Sequence, residues 1–169
     1  MNAAWQVEKR TEPGQPLLQS EHYERELIRD MKLKTLKHML VMFFVNHLCD
    51  GAYLFEVKRR LLNAIGYSLG EGTKVVGPVY CTAELITGSN CWLGRNFTIH
   101  GNGTVEIGDN CDIAPDVTFL TGRHAIGSRE CDADEGKKYS ICVGEGCWIG
   151  AGTTLGRNVT IGKGCMILA

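Results

Sequence analysis

The chain has 169 residues, of which 44% are hydrophobic, and a formal net charge of −1, so it can bury one sizeable core. Proteins that track nucleic-acid phosphates usually carry a basic domain, and this balanced charge gives no indication of nucleic-acid binding. The eight cysteines stand without a signal peptide or a CxxC pair, which argues against a secreted disulfide framework and against a zinc site. We therefore expect reduced thiols in a cytoplasmic protein.

The N-terminal part divides into two predicted segments. Residues 1–19, with Pro13, Gly14 and Pro16 among scattered charges, are expected to form a flexible arm. Residues 20–66 are expected to form an N-terminal helical segment with two helices. Apolar residues recur in the first helix at spacings of three and four, which places them on one stripe: Leu27, Ile28, Met31, Leu36, Met39, Leu40, Phe43 and Phe44.

The second predicted helix has Asp50 as its cap and Gly66 as its stop. Basic residues in both helices, Lys58 among them, are interleaved with acidic ones, so we interpret them as a solvated face rather than a membrane or polysaccharide contact. The apolar run at 39–45 is too short to span a bilayer, and no membrane association is expected. Because the apolar stripe must be covered, we expect the helices to pack on the following domain or on a neighbouring subunit.

Residues 67–169 show a period of six that predicts a mainly β domain. Nineteen of the 21 glycines lie from Gly66 onward, and many follow the first residue of a hexad, here called its lead. The leads are Leu69, Val75, Cys81, Thr87, Leu93, Ile99 and Val105, then, after a two-residue slip, Ile107, Ile113 and Phe119, and finally Val143, Ile149, Leu155, Ile161 and Ile167. This period is typical of a parallel β-helix, in which three hexads make one triangular coil and the leads stack inside it.

A protruding loop at about 120–142 interrupts the period, which resumes at Val143. Val143 follows Ile107 by a whole number of hexads, so we expect the interruption to replace repeats without loss of phase. A regular solenoid gains nothing from such a break, and long loops in compact domains tend to be functional. Cysteine recurs four places after a lead, where a small inward-facing residue is needed: Cys91, Cys111, Cys147 and Cys165.

Two runs of the chain resemble the hexapeptide-repeat acyltransferases, most closely the galactoside and maltose type of sugar O-acetyltransferase. They are IGDNCDIAPDVTFLTGRH at 107–124 and VGEGCWIGAGTTLGRNVTIGKGCMI at 143–167. The resemblance begins near Leu69 and runs to the last residue. It implies a left-handed parallel β-helix, a homotrimer with active sites between subunits, and acetyl-CoA as donor. The implied function is transfer of an acetyl group from acetyl-CoA to a hydroxyl of a sugar or glycan precursor.

The resemblance assigns the general base to a histidine that matches His124. The chemistry requires such a group, because a sugar hydroxyl must lose its proton as it attacks the thioester, and imidazole titrates near neutral pH. Metal-binding relatives with this fold use three histidines, but only His100 accompanies His124 in the repeats, so no metal is expected. His100 and Asn102 are candidates for acceptor binding. Ala151 and Ala169 match small residues that line the groove for the CoA pantetheine in the family.

Two departures from the family pattern leave alternatives open. An acidic residue that contacts the acceptor in the family is replaced here by the segment 101–103, so the acceptor could instead be an amino sugar, serine or an antibiotic. The family pattern continues past the residue that matches Ala169, so we expect either a longer natural chain or a shortened homologue with weaker donor binding. A non-catalytic β-helix scaffold that binds a glycan or a protein is the remaining alternative.

Overall fold

A computed structural model describes the backbone of residues 17–128 and 131–168, and the side chains of residues 28–123 and 136–168. Most of the predicted flexible arm therefore lies outside the described residues. The chain divides into two compact units, Met1–Lys37 and His38–Ala169. The second unit contains all of the repeats.

Three helical elements precede the first strand: α1 (Leu17–Phe43), a π-helical turn (Phe44–Leu48) and α2 (Phe55–Asn63). Among the described residues, no helix combines the length and apolar character needed to cross a membrane. In the second unit, Val41 and Val45 are buried in the main core. Met39 and Phe43 are more than half exposed, so the described side chains do not cover this part of the predicted stripe.

Two expectations for the helical segment are wrong. Asp50 does not cap α2, because Leu54 occupies the N-cap in a left-handed conformation (φ 51°), and the Asp50 carboxylate accepts a hydrogen bond from Arg95 at 2.7 Å. Lys58 does not belong to a solvated face, because its side chain is fully buried. Its ammonium group donates to the carbonyl oxygens of Gly51 (2.6 Å), Val76 (2.9 Å) and Cys49 (3.3 Å).

Burial lowers the pKa of Lys58 below its ordinary value, and nearby negative charge, including that of Asp50, opposes the shift. The three carbonyl groups and the rings of Tyr53 and Phe55, at 5.6 and 5.2 Å from the Lys58 nitrogen, supply the favourable contacts that a buried ammonium group needs. Lys58 thus fastens the turn before α2 to the first coil of the strand domain.

Fourteen strands form three parallel sheets, which are the faces of a triangular prism. The first face contains β1 (Ser68–Leu69), β4 (Glu84–Thr87), β7 (Thr104–Ile107), β12 (Ser140–Val143) and β15 (Thr160–Ile161). The second face contains β2 (Lys74–Val75), β5 (Trp92–Leu93), β8 (Asp112–Ile113), β13 (Trp148–Ile149) and β16 (Met166–Ile167). The third face contains β3 (Val79–Cys81), β6 (Phe97–His100), β9 (Thr118–Leu120) and β14 (Thr154–Gly156).

The predicted leads form the core of this prism, which confirms the parallel β-helix. Leads from successive coils pair with each other, as Leu93 does with Ile113 and Ile113 with Ile149, and these three residues are at most 1% exposed. The first and third faces also bury the residue two places before the lead. Val105, which was expected to be a lead, occupies this second inward position, because it pairs with Leu85 while Ile107 pairs with the lead Thr87. This second inward position follows from the alternation of side chains along a strand.

The slip and the interruption lie at the same corner of the prism, between the third and the first face. The coil that joins Thr87 to Ile107 is two residues longer than the coil that joins Val75 to Leu93. Phase is kept across the interruption, because Val143 pairs directly with Ile107. The interruption replaces no repeats, however, since β12 stacks immediately on β7. It is an insertion between two adjacent coils.

The repeated cysteines form a ladder beside the second face. Cys91, Cys111 and Cys147 are buried, as expected, and each thiol donates to the carbonyl oxygen of a glycine in the next coil, at 3.0 to 3.1 Å. One coil before Cys91, the Thr73 hydroxyl makes the equivalent bond to the carbonyl oxygen of Gly88, which is likewise in the next coil. Burial raises the pKa of Cys111 to about 11 and raises that of Cys91, so these two thiols are poor nucleophiles. All three cysteines pack as small hydrophobic residues.

The lead Ile113 and its neighbour Asp112 provide a matched test of the prism core. Ile113 is fully buried, whereas Asp112 faces outward on the same strand. Ile113→Ala should lower the free energy of unfolding by about 2 to 5 kcal/mol because it leaves a cavity, and Asp112→Ala should change it by less than about 0.5 kcal/mol. Urea unfolding measures both values, and equal losses would contradict the assigned inward and outward positions.

The thiol ladder predicts a loss of stability in alkali. The unfolded Cys111 thiol ionises near its ordinary pKa of 9.0, whereas the folded thiol keeps its proton to about pH 11. Between these values the unfolded state binds fewer protons, so raising the pH favours unfolding. Under reducing conditions, the unfolding free energy of Cys111→Ala should fall less steeply between pH 9 and 11 than that of the wild type. The difference in slope should correspond to the release of about one proton fewer on unfolding. Thr73→Ala, at the equivalent buried position, removes the same bond but no ionisable group, and it should leave the slope unchanged.

Candidate functional site

The insertion forms a two-stranded antiparallel hairpin of β10 (Gly122–Ser128) and β11 (Cys131–Lys138). Gly122 pairs with Lys138, Arg123 with Lys137, and His124 with Gly136. The backbone of His124 is therefore placed two residues beyond the start of the hairpin. Its side chain, like those of residues 125–135, lies outside the described residues.

The root of the hairpin is tied to the coil by buried hydrogen bonds. The Tyr139 amide donates to the carbonyl oxygen of Thr121 (2.8 Å), and the Thr121 amide donates to that of His100 (2.8 Å). The Thr121 hydroxyl, which is fully buried, donates to the same His100 oxygen (3.0 Å) and accepts from the Gly103 amide (3.2 Å). These bonds hold the entry and exit of the hairpin together on residues 100–103.

Glycine is required where the hairpin crosses this corner. Gly101 has φ 107°, a conformation that strains any residue with a β-carbon. A β-carbon on Gly103, built in ideal geometry, would collide with the carbonyl oxygen of Tyr139, and one on Gly101 would collide with the Gly122 amide. The corner is thus shaped to let the two ends of the hairpin approach the coil closely.

A groove of about 450 Å³ lies between this corner and the hairpin. It is lined by His100, Gly101, Asn102, Leu120, Gly122, Arg123, Gly136 and Lys137. A second groove of about 360 Å³ shares Asn102 with it and includes Glu84, Thr104 and Tyr139. Glu84 accepts a hydrogen bond from the Thr104 hydroxyl at 3.2 Å, so its carboxylate is partly engaged on the first face.

The structure brings some of the predicted site residues together and not others. His100 and Asn102 line the same groove as Arg123 and Gly136, which are the sequence neighbour and the cross-strand partner of His124. Ala151 is exposed and follows the strand Trp148–Ile149 of the second face; it does not line this groove. Ala169 lies outside the described residues.

Three residues of this region were not singled out from the sequence. Thr121 is two places after the lead Phe119, and in the sequence it cannot be told from an ordinary polar residue of a turn. Arg123 and Lys137 look like scattered loop charges until the register makes them direct partners. A polar residue immediately before the interruption is the one sequence signal that could have identified Thr121.

The described residues contain no group of three or more histidine, cysteine, aspartate or glutamate side chains that could hold a metal ion. The backbone amides of Gly103 and Thr121 already donate hydrogen bonds within the hairpin root, to the Thr121 hydroxyl and to the carbonyl oxygen of His100.

Comparison with known proteins places these features in context. Residues 143–169 match the family model for the bacterial transferase hexapeptide (six repeats). Over 148 residues the chain is 33% identical to the galactoside O-acetyltransferase of Escherichia coli (strain K12), a match that covers 79% of this chain and 69% of that protein.

Solved structures show the same similarity. A galactoside acetyltransferase in complex with coenzyme A matches with a TM-score of 0.63 and 27% identity, over 82% of this chain and 69% of that chain. A hexapeptide-repeat acetyltransferase from Vibrio cholerae matches with a TM-score of 0.59 and 22% identity, over 82% and 77% of the two chains. The predicted left-handed parallel β-helix with a helical N-terminal segment is thereby confirmed.

The glycine corner yields a matched prediction. Gly103→Ala should push the hairpin root away from the coil and lower the free energy of unfolding by about 1 to 3 kcal/mol, the usual cost of overpacking. Gly156→Ala is the control, because nothing lies within 4 Å of its added β-carbon. Urea unfolding compares the two variants. Full stability of Gly103→Ala would show that the corner and Tyr139 are not in the described contact.

Proposed function

Because the chain belongs to the hexapeptide-repeat family of acetyl-CoA-dependent acetyltransferases, we propose that it transfers an acetyl group from acetyl-CoA to a hydroxyl of a sugar or glycan precursor. The observation that carries this proposal is the hairpin, whose root is fixed by Thr121 and whose residues Arg123 and Gly136 line a groove with His100 and Asn102. The similarity to galactoside acetyltransferase, in sequence and in structure, supports the acceptor class.

His124 is the proposed general base. The acceptor hydroxyl oxygen attacks the thioester carbonyl carbon while its proton passes to the neutral imidazole. The tetrahedral intermediate then collapses, the bond from carbon to sulfur breaks, and the imidazolium returns the proton to the departing thiolate. Since the thioester is already activated, the transfer needs no covalent intermediate on the protein.

Acceptor binding is assigned to His100 and Asn102. His100 is exposed at the end of β6, and Asn102 lines both grooves at the corner. An amide can donate and accept hydrogen bonds, which suits the hydroxyl groups of a sugar ring. Their position on the coil, opposite the hairpin, supports binding of the acceptor between the two.

The donor site is proposed to lie between subunits of a homotrimer, with Ala151 and Ala169 lining the pantetheine groove. Ala151 is exposed in one chain, and Trp148 and Met166, paired on the outer side of the second face, are 44% and 58% exposed. Such an apolar patch supports a subunit contact. A cytoplasmic location is also proposed, since the cysteines among the described residues are all free thiols.

His124→Ala tests the proposed mechanism. Loss of the base should lower kcat for acetyl transfer to methyl galactoside by about 100-fold or more, the usual contribution of general-base catalysis. Wild-type kcat/KM should rise with pH through the imidazole range near about pH 6.5, because only the neutral ring accepts the proton, and the variant should lack this rise. Release of free CoA thiol from acetyl-CoA measures both.

Two controls separate catalysis from folding and binding. His47→Ala, at an exposed position in the π-helical turn, should keep full turnover. His100→Ala should raise KM for the acceptor more than it lowers kcat, because His100 is proposed to bind and not to take the proton. Full turnover by His124→Ala with an unchanged pH profile would rule out His124 as the base.

A further inference from the structure

Three grooves of the strand domain lie next to one another and share residues. Asn102 lines both the groove of about 450 Å³ and the groove of about 360 Å³. Thr82, Ala83 and Glu84 line the second of these and also a third groove of about 180 Å³, which His38 bounds. The three grooves therefore form one continuous depression, here called the corner trough, which runs from the hairpin root to His38 of α1.

The corner trough crosses several strands of the first face. It extends from Tyr67, immediately before β1, across β4 and β7 to β12. Glu84 pairs with Thr104 and Thr104 with Ser140, so these three outward side chains form one column. Neighbouring strands are about 4.8 Å apart, so the three intervals make the trough roughly 14 Å long. This length exceeds the width of a single sugar ring.

Hydrogen bonds between coils fix the floor of the trough. The Thr82 hydroxyl donates to the carbonyl oxygen of Gly101 at 2.8 Å, and the Glu84 amide donates to that of Gly103 at 3.1 Å. The backbone is thus held in place before a ligand binds. A ligand would meet a preformed surface and would lose little affinity to ordering of the backbone.

Side chains in the middle of the trough suit the hydroxyl groups of sugars. They are the amide of Asn102, the hydroxyl groups of Thr104 and Ser140, and the carboxylate of Glu84. A carboxylate accepts hydrogen bonds through two oxygens, and charge-assisted bonds are about twice as strong as neutral ones. Oε2 of Glu84 accepts from the Thr104 hydroxyl at 3.2 Å, which is long for a bond between two oxygens. The exposed carboxylate therefore has capacity to bind a ligand.

From this arrangement we propose that the acceptor is a glycan chain of at least two sugar units, which lies along the corner trough with Glu84 at its centre. One unit lies beside the hairpin, where acetyl transfer is proposed, and the next units extend past Glu84 toward His38. Glu84 accepts hydrogen bonds from hydroxyl groups of the second unit and takes no part in the transfer. The inference rests on the proposed function and specifies its substrate class.

The experiment uses acceptors of increasing length: methyl galactoside and the methyl glycosides of galactobiose and galactotriose. Wild-type kcat/KM should be at least about tenfold higher for the trisaccharide than for methyl galactoside, chiefly through a lower KM. Glu84→Ala should lower kcat/KM for the trisaccharide at least about fivefold more than for methyl galactoside, because it removes a charge-assisted bond to the second unit. Glu84→Gln keeps an accepting oxygen and should recover part of this loss.

The matched control is Glu106→Ala, which removes an exposed carboxylate of β7 on the same face, outside the residues that line the three grooves. It should keep the full dependence on acceptor length. Equal kcat/KM for methyl galactoside and the trisaccharide would overturn the inference. A length dependence that Glu84→Ala leaves intact would also overturn it, because the chain would then bind elsewhere.

Calorimetric titration without acetyl-CoA distinguishes failure of this inference from failure of the acetyl-transfer proposal. If no acceptor is acetylated, tighter binding of the trisaccharide than of methyl galactoside, weakened in Glu84→Ala, would support the glycan site and refute only the transfer. Acetylation of methyl galactoside without tighter binding of the trisaccharide would leave the transfer intact and overturn the inference. Absence of both binding and acetylation would overturn both.

Discussion

The direct stacking of β12 on β7 is the constraint on which the rest of the site depends. Four residue pairs, from Ser140 with Thr104 to Val143 with Ile107, join the two strands. This pairing brings the chain back into the prism one coil above the point where it left, so both ends of the hairpin must meet at one corner. A hairpin held at both ends on a rigid scaffold positions its first residues far better than a free loop does.

Packing of side chains stabilises the interior of the prism, whereas hydrogen bonds of backbone groups hold the hairpin root in place. Apolar leads fill the interior, and the buried thiols of Cys91, Cys111 and Cys147 donate hydrogen bonds to glycine carbonyl groups in the coil above. At the corner the roles change, because Gly101 and Gly103 lack side chains and the Thr121 hydroxyl supplies the remaining partner. Regular packing thus ends where the chemistry is proposed.

The sequence predicted the parts of the molecule that depend on local period. The leads, the ladder cysteines and the place of the insertion all follow from spacing. Lys58 was misassigned because its burial depends on carbonyl groups from two separate segments, the turn at 49–51 and Val76, and no local pattern reports their convergence. Thr121 and the Arg123 and Lys137 pair were not identified for the same reason, since their partners are set by the tertiary fold.

Native-state hydrogen exchange at the hairpin root tests the central claim most directly. The amides of Thr121, Gly103 and Tyr139 donate to partners within the root. If the root is part of the coil, these amides should exchange as slowly as core amides such as that of Gly108, which donates to Val143. Exchange at the rate of an unprotected loop would show that the hairpin is not held, and with it the proposed site would lose its structural basis.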